Sequence, residues 1–453
     1  MPALSESHES NGSRGFASVL RIRNFALLTT SCSVAQLGDR LTHMLLITVI
    51  AASEPGKLMA YSAGSLAFVL PTIIIAPIAG VLVDRWDKRK VLAYVHILQA
   101  VLWVAAAFLI IALKSFAPFW VALFVFFGLD VFNNTSVPAL IPRLVAPRKL
   151  LMANSVNMTL CRIATIIGMV AGGFLIKWAG WKYGLFINAS THLISGLFVL
   201  AIAGVYVAQR SAPGASRRGG SGDSPTERED ARYSPHFRSP SGLIAQAFRQ
   251  LYHDLGEVIR VVGRDKLVAF VMASFVVTMF ISSVSYTVLI YIVQQVLKLG
   301  TGGVGIFAGV LAVGMVGGGA SIGLIRRRIN QPMVVVGVVL LFGLLFLASP
   351  WLITIWFMVV IALVAGVAFS WLGVVQNTML QEEVPDSIRG RIFSTREFIT
   401  NATFLLTTVL VGALGDLTSY RMVLVAFGAV LSVLAVVGWV FVRGMQEQAK
   451  AKV

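Results

Sequence analysis

The chain has 453 residues, of which 57% are hydrophobic and 13% are charged, and its formal net charge is +17. Apolar runs long enough to cross a hydrocarbon core of about 30 Å recur along it, which excludes an ordinary soluble globular protein. Both cysteines, Cys32 and Cys161, fall within such runs, so neither a disulfide framework nor a metal centre is expected.

A polar arm, residues 1–23, precedes the first apolar run, and that run is too long for the core of a cleavable signal peptide. Twelve membrane-spanning helices are predicted, so the fold class is all-α. Their predicted bounds are 24–52, 58–83, 91–113, 118–141, 151–176, 183–207, 267–296, 302–325, 333–348, 352–380, 392–414 and 422–441.

The composition changes after the sixth span. Residues 208–241 are rich in Ser, Gly, Pro and charged residues, which predicts a flexible cytoplasmic linker. In residues 242–264 apolar residues recur at helical spacing, which predicts an amphipathic helix on the membrane surface, with a partner-binding helix as the alternative. The remaining predicted domains are six-helix bundles at 24–207 and 265–443 and a cytoplasmic tail at 444–453.

Lys and Arg concentrate in alternate loops, whereas the loops between them hold few bases. Those few are Lys57, Lys114, Lys177, Lys182, Lys298 and Arg421. This bias predicts an inner-membrane protein with both termini in the cytoplasm. Its basic loops then face anionic lipid headgroups, so lipids rather than nucleic acid are the expected partners.

The two halves of the chain repeat each other at an offset of 239 residues, the separation of Gly173 and Gly412, which we call the repeat offset. It also aligns Val145 with Val384, Ser155 with Ser394, Lys182 with Arg421, Leu185 with Leu424, Gly80 with Gly319, and Lys88-Arg89 with Arg327-Arg328. A parallel repeat of six helices predicts two pseudo-symmetric bundles related by an axis along the membrane normal.

The loop after the second span packs two acids and four bases between Asp84 and Lys90. It resembles the signature loop of major facilitator superfamily transporters, with Asp87 where that family usually has Gly. The matching positions are Gly80, Asp84, Arg85, Lys88, Arg89 and Leu92. The resemblance implies the major facilitator fold, with a cavity between two bundles.

The resemblance also implies that Asp84 docks at the start of the eleventh helix, near Arg391, where a helix N-terminus attracts a carboxylate. The acids Glu382, Glu383 and Asp386 complement the bases Arg85, Lys88, Arg89 and Arg143. These residues are therefore expected to close the cytoplasmic side. The alternative is that the bases only set the topology.

The fifth span carries Gly168-Met169-Val-Ala-Gly172-Gly173, which resembles an antiporter motif of the superfamily without its proline. Small residues four apart let helices approach closely, so Gly168, Gly172 and Gly173 are predicted to be packing residues. The resemblance favours exchange over uptake.

Four ionisable residues are predicted inside the membrane: Asp39, Arg40, Asp130 and Arg162. Each costs about 2.5–3.5 kcal/mol near the bilayer centre, so such residues usually face a cavity or a partner. Asp130 and Arg162 are predicted at equal depth, which favours an ion pair between them. Asp39 and His43 share one helix face, and Arg40 points about 100° away.

In the functional interpretation Asp39 carries a proton, assisted by His43, and Arg162 tunes its proton affinity. Arg40 and Asp130 are further candidates for proton or substrate coupling. In the alternative, acids and bases only neutralise each other inside the bundle. His96 and His192 are predicted to be packed or hydrogen-bonded. Candidate cavity residues are Asn133, Asn134, Gln294, Gln295, Gln376 and Asn377.

The sequence has no phosphate-binding loop and no soluble catalytic domain, so neither an enzyme nor direct ATP drive is expected. Several stretches resemble bacterial macrolide-efflux and enterobactin-export permeases. They are Arg23-Asn-Phe-Ala-Leu-Leu, Leu37-Gly-Asp39, Pro138-Ala-Leu-Ile-Pro142, Asn154-Ser and Arg389-Gly-Arg391-Ile-Phe-Ser394.

That resemblance implies proton-coupled export of an amphiphilic small molecule such as a drug or a siderophore, which with the glycine motif favours an antiporter. We further expect a monomer that uses no cofactor. A lysophospholipid or other lipid transporter of the same fold is one alternative. A non-transporting membrane sensor or scaffold is an alternative of another class.

Overall fold

The computed structural model describes residues 18–53, 56–202, 256, 260, 261, 263, 265–325, 330–384 and 386–450. The predicted linker at 208–241 and most of the predicted amphipathic helix lie outside these residues. Some helical residues within these ranges are described by their backbone alone, among them Gly80, Asp84, Arg85, Asp386 and Arg391.

The first half of the chain forms six long helices. They are α1 (Arg23–Ser53), α2 (Leu58–Arg85), α3 (Lys88–Leu113), α4 (Ala117–Leu144) and the continuous stretch Leu150–Leu200. Gly180 divides that stretch, because its φ of 77° and ψ of 170° are not helical. We number its two parts α5 (residues 150–179) and α6 (residues 181–200).

The second half repeats this arrangement. Its helices are α7 (Lys266–Tyr291, continued by a π-helical turn at Ile292–Val296), α8 (Gly300–Ile325), α9 (Gln331–Ala348), α10 (Ile355–Glu383), α11 (Asp386–Leu417) and α12 (Tyr420–Lys450). Apart from the division at Gly180, each is long and apolar enough to span a membrane. The prediction of an all-α, twelve-span membrane protein is confirmed.

Local chemistry sets several helix ends. Asp87 has an extended backbone and caps α3, accepting hydrogen bonds from the backbone N–H groups of Arg89 and Lys90. Asp265 caps α7 in the same way. A carboxylate suits a helix N-terminus, which explains why Asp stands at a position where the family usually has Gly. Gly180 is different, because its positive φ disfavours any other residue.

The repeat offset found in the sequence also relates the helices. It carries residues 117–144 of α4 onto 356–383, which matches α10, and the start of α6 onto Tyr420, where α12 begins. Packing repeats as well, since α2 packs against α11 and α5 packs against α8. We call residues 18–202 the N-half and residues 265–450 the C-half.

The outer surface of the bundle is apolar, as expected for contact with lipid. Large side chains such as Phe108, Leu406 and Val433 are exposed there. Trp178 and Trp356 are more than four-fifths exposed near helix ends, the position at which aromatic side chains meet the membrane interface. The main cluster of buried apolar side chains instead fills the spaces between the helices and runs through both halves.

Candidate functional site

The two halves contact each other closely at the end of the bundle where α2 and α8 begin and α5 and α11 end, which we call the Asp416 end. A Cβ atom added at Gly173 would lie 2.8 Å from the carbonyl oxygen of Thr301. A Cβ atom added at Gly412 would lie 2.9 Å from the Cα atom of Met59 and would collide with the side chain of Ser62. The repeat offset relates these two contacts, so the closure is itself pseudo-symmetric.

Polar contacts reinforce the closure at the Asp416 end. The carboxylate of Asp416 accepts hydrogen bonds from the first N–H groups of α2, at Leu58 (2.6 Å) and Met59 (3.3 Å). The hydroxyl groups of Thr48 and Thr301 lie 2.8 Å apart across the two halves. A carboxylate at a helix N-terminus is a favourable electrostatic contact.

Gln294 and Gln295 belong to this closure. Gln295 donates to the hydroxyl group of Tyr61 (3.0 Å), and Gln294 donates to Thr301 (3.3 Å). Neither residue lines the central cavity described next, although the sequence suggested both as cavity residues. Both glutamines lie in the π-helical turn that continues α7.

A cavity of about 720 Å³ lies between the two halves. Its wall is built by α1 and α5 from the N-half and by α7, α8 and α10 from the C-half, and it is mostly apolar. The lining includes Met44, Met169, Met279, Met315, Phe307 and Phe369. Flexible Met and aromatic side chains suit a large apolar ligand of variable shape.

A small polar set interrupts that apolar wall. The set comprises His43, Arg162, Thr165, Thr278, Ser282, Ser285, Tyr286 and Ser370. Arg162 is the cation among the lining residues, and no ion pair joins it to a carboxylate in the part of the chain that is described. His43 packs against the rings of Phe68 and Phe127. The cavity therefore offers one guanidinium group and several hydroxyl groups to a ligand.

Asp39 lies behind this wall, inside the N-half, and is 4% exposed. Its Oδ2 atom accepts a hydrogen bond from Gln36 (3.1 Å), whereas its Oδ1 atom has no hydrogen-bond partner among the described residues. The nearest cationic candidate at Oδ1 is His192 of α6, whose Nε2 atom is 3.9 Å away. Asp39 therefore faces the bundle interior rather than lipid.

Gln36 and His43 connect Asp39 to the cavity. The Oε1 atom of Gln36 accepts hydrogen bonds from Thr165 of the cavity wall (3.1 Å) and, at 3.5 Å, from Arg40. The Nδ1 atom of His43 lies 2.8 Å from the backbone carbonyl oxygen of Asp39, so Nδ1 carries the hydrogen. Two polar links therefore join the buried acid to the space between the halves.

Arg40 lies between two acids. It interacts electrostatically with Asp39 on its own helix and with Asp130 of α4. The Oδ atoms of Asp130 accept hydrogen bonds from Asn133 (3.2 Å) and Asn134 (2.9 Å). Those two amides therefore hold Asp130 and do not line the central cavity.

The predicted ion pair between Asp130 and Arg162 is wrong. Equal depth placed the two residues level, but α4 packs mainly against α2 and α3, whereas α5 packs against α1 and α8. Arg162 consequently faces the central cavity, and Arg40 takes the place beside Asp130 that was predicted for Arg162. Depth alone could not identify the neighbouring helix.

Gln376 and Asn377 of α10 bind other helices of the C-half instead of lining the cavity. Gln376 is 1% exposed and donates to Ser274 and Thr278 of α7, both at 2.9 Å. The Oδ1 atom of Asn377 accepts a hydrogen bond from Arg396 of α11 (2.7 Å). These amides fix α7 and α11 against α10.

Part of the predicted cytoplasmic gate can be located. Lys88 is buried, and Arg89 donates to the last carbonyl groups of α6, at Val199 (3.4 Å) and Leu200 (2.6 Å). Glu382 is exposed, and Glu383 interacts with Asp265 of the C-half. Gly80, Asp84, Arg85, Asp386 and Arg391 are described by their backbone alone, so the gate stays a prediction.

The glycines of α5 lie against α1 and α8. A Cβ atom at Gly168 would lie 3.0 Å from the Cβ atom of Arg40, and one at Gly172 would lie 3.5 Å from the side chain of Met44. Gly173 instead contacts α8 of the opposite half. The three glycines let α5 approach both the helix that carries Asp39 and the C-half.

Sequence reasoning missed His192, Tyr286 and Asp416. No acid lies near His192 in sequence, and its position beside Asp39 depends on how α6 packs against α1. Tyr286 is one tyrosine in an apolar helix, and Asp416 is one acid at a helix end. A usable signal existed for His192, because the repeat offset pairs this histidine with Leu431.

The family model for the Major Facilitator Superfamily matches residues 30–353 and 328–453. The chain belongs to the Major Facilitator Superfamily. It is therefore a multi-pass membrane protein of a transporter family, and the resemblance inferred from the signature loop is confirmed.

Individual relatives resemble the chain at low sequence identity. The chain is 25% identical over 330 residues to the protein named "Putative bacilysin exporter BacE" of Bacillus amyloliquefaciens, which covers 72% of both chains. A BacE protein of Bacillus subtilis (strain 168) is 28% identical over 132 residues, or 29% of this chain and 32% of that protein. These matches associate the chain with relatives named as exporters.

Solved structures share the fold. A bacterial homologue of the iron transporter ferroportin, in an inward-facing state, has a TM-score of 0.65 at 16% identity, covering 93% of this chain and 99% of that chain. The nucleoside transporter NupG has a TM-score of 0.62 at 15% identity, covering 91% and 98%. At these identities the likeness shows the fold alone.

Proposed function

We propose that this protein is a proton-coupled exporter of an amphiphilic small molecule, moved by alternating access of the central cavity. The observation that supports this most is the juxtaposition of two features. A largely apolar cavity with one guanidinium group lies between the halves, and the buried acid Asp39 lies directly behind its N-half wall. The first feature suits the cargo, and the second suits the coupling ion.

The charge count around Arg40 supports coupling to protons. Asp39 and Asp130 share the single guanidinium group of Arg40, so the group carries one excess negative charge when both acids are ionised. One proton neutralises it. Because an uncompensated buried charge is costly, a protonated and an ionised group favour different surroundings. That difference can bias a two-state transporter.

Hydrogen bonds connect Asp39 to the cavity wall and so link its protonation to the binding of substrate. His43 and Thr165 both line the cavity, and each is one hydrogen bond away from Asp39 or from its partner Gln36. The link that senses the carboxylate runs through Gln36, which donates to Asp39 and accepts from Thr165, so a change of charge at Asp39 acts on a group that a ligand would contact. In this mechanism proton uptake and substrate release occur at neighbouring sites.

Arg162 suggests the polar group of the substrate. Among the described residues Arg162 has no carboxylate partner, and a guanidinium group in an apolar cavity is best satisfied by a carboxylate or a phosphate, which it can bind through two parallel hydrogen bonds. The favoured cargo is an apolar compound with one carboxylate. The curated name of BacE as an exporter supports outward transport for this chain.

The rest of the proposal concerns topology. The protein lies in the inner membrane as a monomer with both termini in the cytoplasm, which places the Asp416 end outside the cell. The closed contacts at that end then leave the cytoplasmic side as the side of substrate entry. The gate built around Asp84 closes that side in the opposite state.

Transport in proteoliposomes with an imposed pH gradient tests the coupling. Asp39→Asn is expected to reduce gradient-driven transport by about 100-fold, the lower range for losing a proton-transfer group. Asp265→Asn is the matched control, because Asn caps a helix about as well as Asp. Intact gradient-driven transport in Asp39→Asn would refute the role of Asp39.

Substrate preference tests the role of Arg162. Arg162→Gln is expected to raise KM for a carboxylate-bearing amphiphile by about 10-fold or more, because hydrogen bonds to charged groups contribute about 1.5–3 kcal/mol. Arg162→Lys keeps the charge and should lose less. An uncharged analogue of the same amphiphile should show no such change in KM, and an equal change for both compounds would contradict the assignment.

A lysophospholipid transporter is the second candidate, since Arg162 would also suit a phosphate headgroup beneath an apolar wall. The same proteoliposomes decide between them. Movement of a labelled lysophospholipid, with no transport of the carboxylate amphiphile, favours the lipid function. Absence of transport for both classes favours the sensor or scaffold.

A further inference from the structure

A chain of buried polar side chains leads from Asp39 away from the cavity, through α6 and into α3. His192 is 0% exposed and His96 is 1% exposed, and their rings stack at a centroid distance of 5.9 Å and an interplanar angle of 26°. His96 Nδ1 lies 3.2 Å from Gln99 Oε1. We call Asp39, His192, His96 and Gln99 the buried polar chain.

Each member of this chain has a buried polar atom that forms no hydrogen bond among the described residues. These atoms are Asp39 Oδ1, His192 Nδ1, His96 Nε2 and Gln99 Nε2. An unsatisfied buried polar group costs about 1–3 kcal/mol, so four neighbouring ones are expensive in a structural core. Such a concentration points to function rather than to packing.

The C-half shows that the fold does not need these groups. The repeat offset pairs His96 with Val335 and His192 with Leu431, which are 2% and 0% exposed. The corresponding helices, α9 and α12, pack against each other as α3 and α6 do. Two aliphatic side chains therefore fill in the C-half the space that two imidazoles fill in the N-half.

The orientation of the rings suits proton exchange with Asp39. His192 Nε2 faces Asp39 Oδ1 at 3.9 Å, about 1 Å beyond a hydrogen bond, a gap that a small side-chain adjustment closes. Behind it, the amide oxygen of Gln99 accepts from His96 Nδ1–H, which leaves His96 Nε2 as a basic nitrogen without a partner among the described residues. Both imidazoles thus have a nitrogen that can receive a proton.

The titratable and charged groups around the pair Asp39 and His192 come from four helices besides α6. They are Asp39, Arg40 and Cys32 of α1, His96 of α3, Asp130 of α4 and Cys161 of α5, and the ring of Phe126 of α4 packs against the imidazole. Arg40 stands beside the two acids, and Asp39 is the acid that faces His192 directly.

We propose that His192 is a second proton-binding group of the transport cycle, which receives the proton of Asp39, with His96 as a positioning residue behind it. In this step the O–H bond of the Asp39 carboxyl group breaks and an N–H bond forms at His192 Nε2. A carboxylate and an imidazolium result, and the return transfer restores both neutral groups. The proposal rests on the proposed function, because it requires Asp39 to carry the proton.

The experiment compares two modes of transport in proteoliposomes that contain the full-length protein. Substrate counterflow needs no net proton movement, whereas gradient-driven transport does, and the probe is the carboxylate-bearing amphiphile. In His192→Leu, which copies Leu431 of the C-half, counterflow should stay within about twofold of wild type. Gradient-driven transport should fall by about 100-fold, and its dependence on pH should flatten.

A second pair of variants separates proton binding from packing. His192→Gln keeps a hydrogen-bonding group of similar size and should lose gradient-driven transport like His192→Leu. His96→Val, which copies Val335, should shift the pH profile with a smaller loss of rate. If the His192 variants lose counterflow and gradient-driven transport equally, or keep the wild-type pH profile, the proposal is overturned.

The Asp39→Asn variant distinguishes failure of the proposed function from failure of the role proposed for His192. If Asp39→Asn is inactive in gradient-driven transport while the His192 variants behave as wild type, the proposed function stands and the role of His192 falls. If Asp39→Asn is fully active, the proposed coupling itself falls, and the role of His192 falls with it.

Discussion

The N-half and the C-half have the same helices in the same order but differ in buried chemistry. At the repeat offset, Asp39 corresponds to Thr278, His43 to Ser282, Asp130 to Phe369 and Arg162 to Asn401. Every ionisable residue of the proposed coupling site in this set thus has an uncharged counterpart in the C-half. The fold itself therefore requires none of these charges.

The buried polar groups of the C-half show what structural polarity looks like here. Gln376 donates to Ser274 and Thr278, and the group is neutral and hydrogen-bonded across two helices. Arg396 of the C-half is charged, but its guanidinium group lies over the rings of Phe275 and Phe393 and donates to Asn377. The unsatisfied buried atoms described in the C-half are hydroxyl groups, at Thr287 and Thr395, whereas those around Asp39 include titratable side chains, which suits a site that changes its protonation.

The largest effect is expected when the two buried histidines of the N-half and the aliphatic residues at the equivalent positions of the C-half are each replaced by the other. The double variant Val335→His/Leu431→His buries two unpaired imidazoles and should lose about 2–6 kcal/mol of stability, at about 1–3 kcal/mol per group. His96→Val/His192→Leu should keep or raise the stability of the wild type. Thermal unfolding in detergent measures both.

Val335→Leu/Leu431→Met is the control for the exchange, since it alters side-chain shape without adding a polar group. Equal destabilisation by this control and by the histidine variant would mean that packing alone explains the result. The comparison of the halves would then lose its functional meaning.

Symmetry at the Asp416 end predicts equal effects for two substitutions. Gly173→Leu and Gly412→Leu should each abolish transport, because either side chain would displace backbone of the opposite half and prevent closure. Gly337→Leu is the matched control, since a Cβ atom there meets nothing within 4 Å. Transport assays on the three variants check this, and a fully active Gly412→Leu would contradict the pseudo-symmetric closure.

The pseudo-symmetry of the Asp416 end breaks at Asp416 itself, where a substitution is expected to have a smaller effect on closure. Asp416 caps α2, whereas its counterpart in the N-half is Lys177, whose side chain lies near Gly302. Asp416→Ala should weaken closure by about 0.5–2 kcal/mol, the value of a helix cap, while Asp416→Asn should retain most of it.

The measurement for Asp416 is the labelling rate of Thr301→Cys by a membrane-impermeant maleimide. That rate should rise by roughly twofold to thirtyfold in Asp416→Ala, the factor that corresponds to the lost capping energy, and should not change in Lys177→Ala. An unchanged rate in both variants would show that the cap does not hold the two halves together.

Much of the fold could be predicted from the sequence. The helix bounds follow from uninterrupted apolar runs and polar punctuation, as at Lys57 before α2 and Asp87 before α3. The repeat was visible because Gly173 and Gly412 must both be small where the halves meet. Lipid imposes these patterns directly on the chain, since every span must satisfy its own backbone hydrogen bonds.

The site was less predictable. Asp39 and Arg162 could be recognised as costly residues in a membrane, but the partner chosen for Asp130 was wrong, and His192 was not associated with Asp39. Membrane depth can be counted along a helix from its constant rise per residue, whereas the rotation of the helix and its neighbours cannot be counted in this way.

By itself, the sequence determined that this chain spans a membrane many times, repeats its helices in two halves and places charge where charge is costly. The tertiary structure decided which charges meet. Packing of α6 on α1 brought His192 to Asp39, and packing of α5 on α8 turned Arg162 toward the cavity. The reason is that apolar periodicity in lipid encodes length and depth, while the choice of neighbour depends on side-chain shape across helices that are distant in sequence.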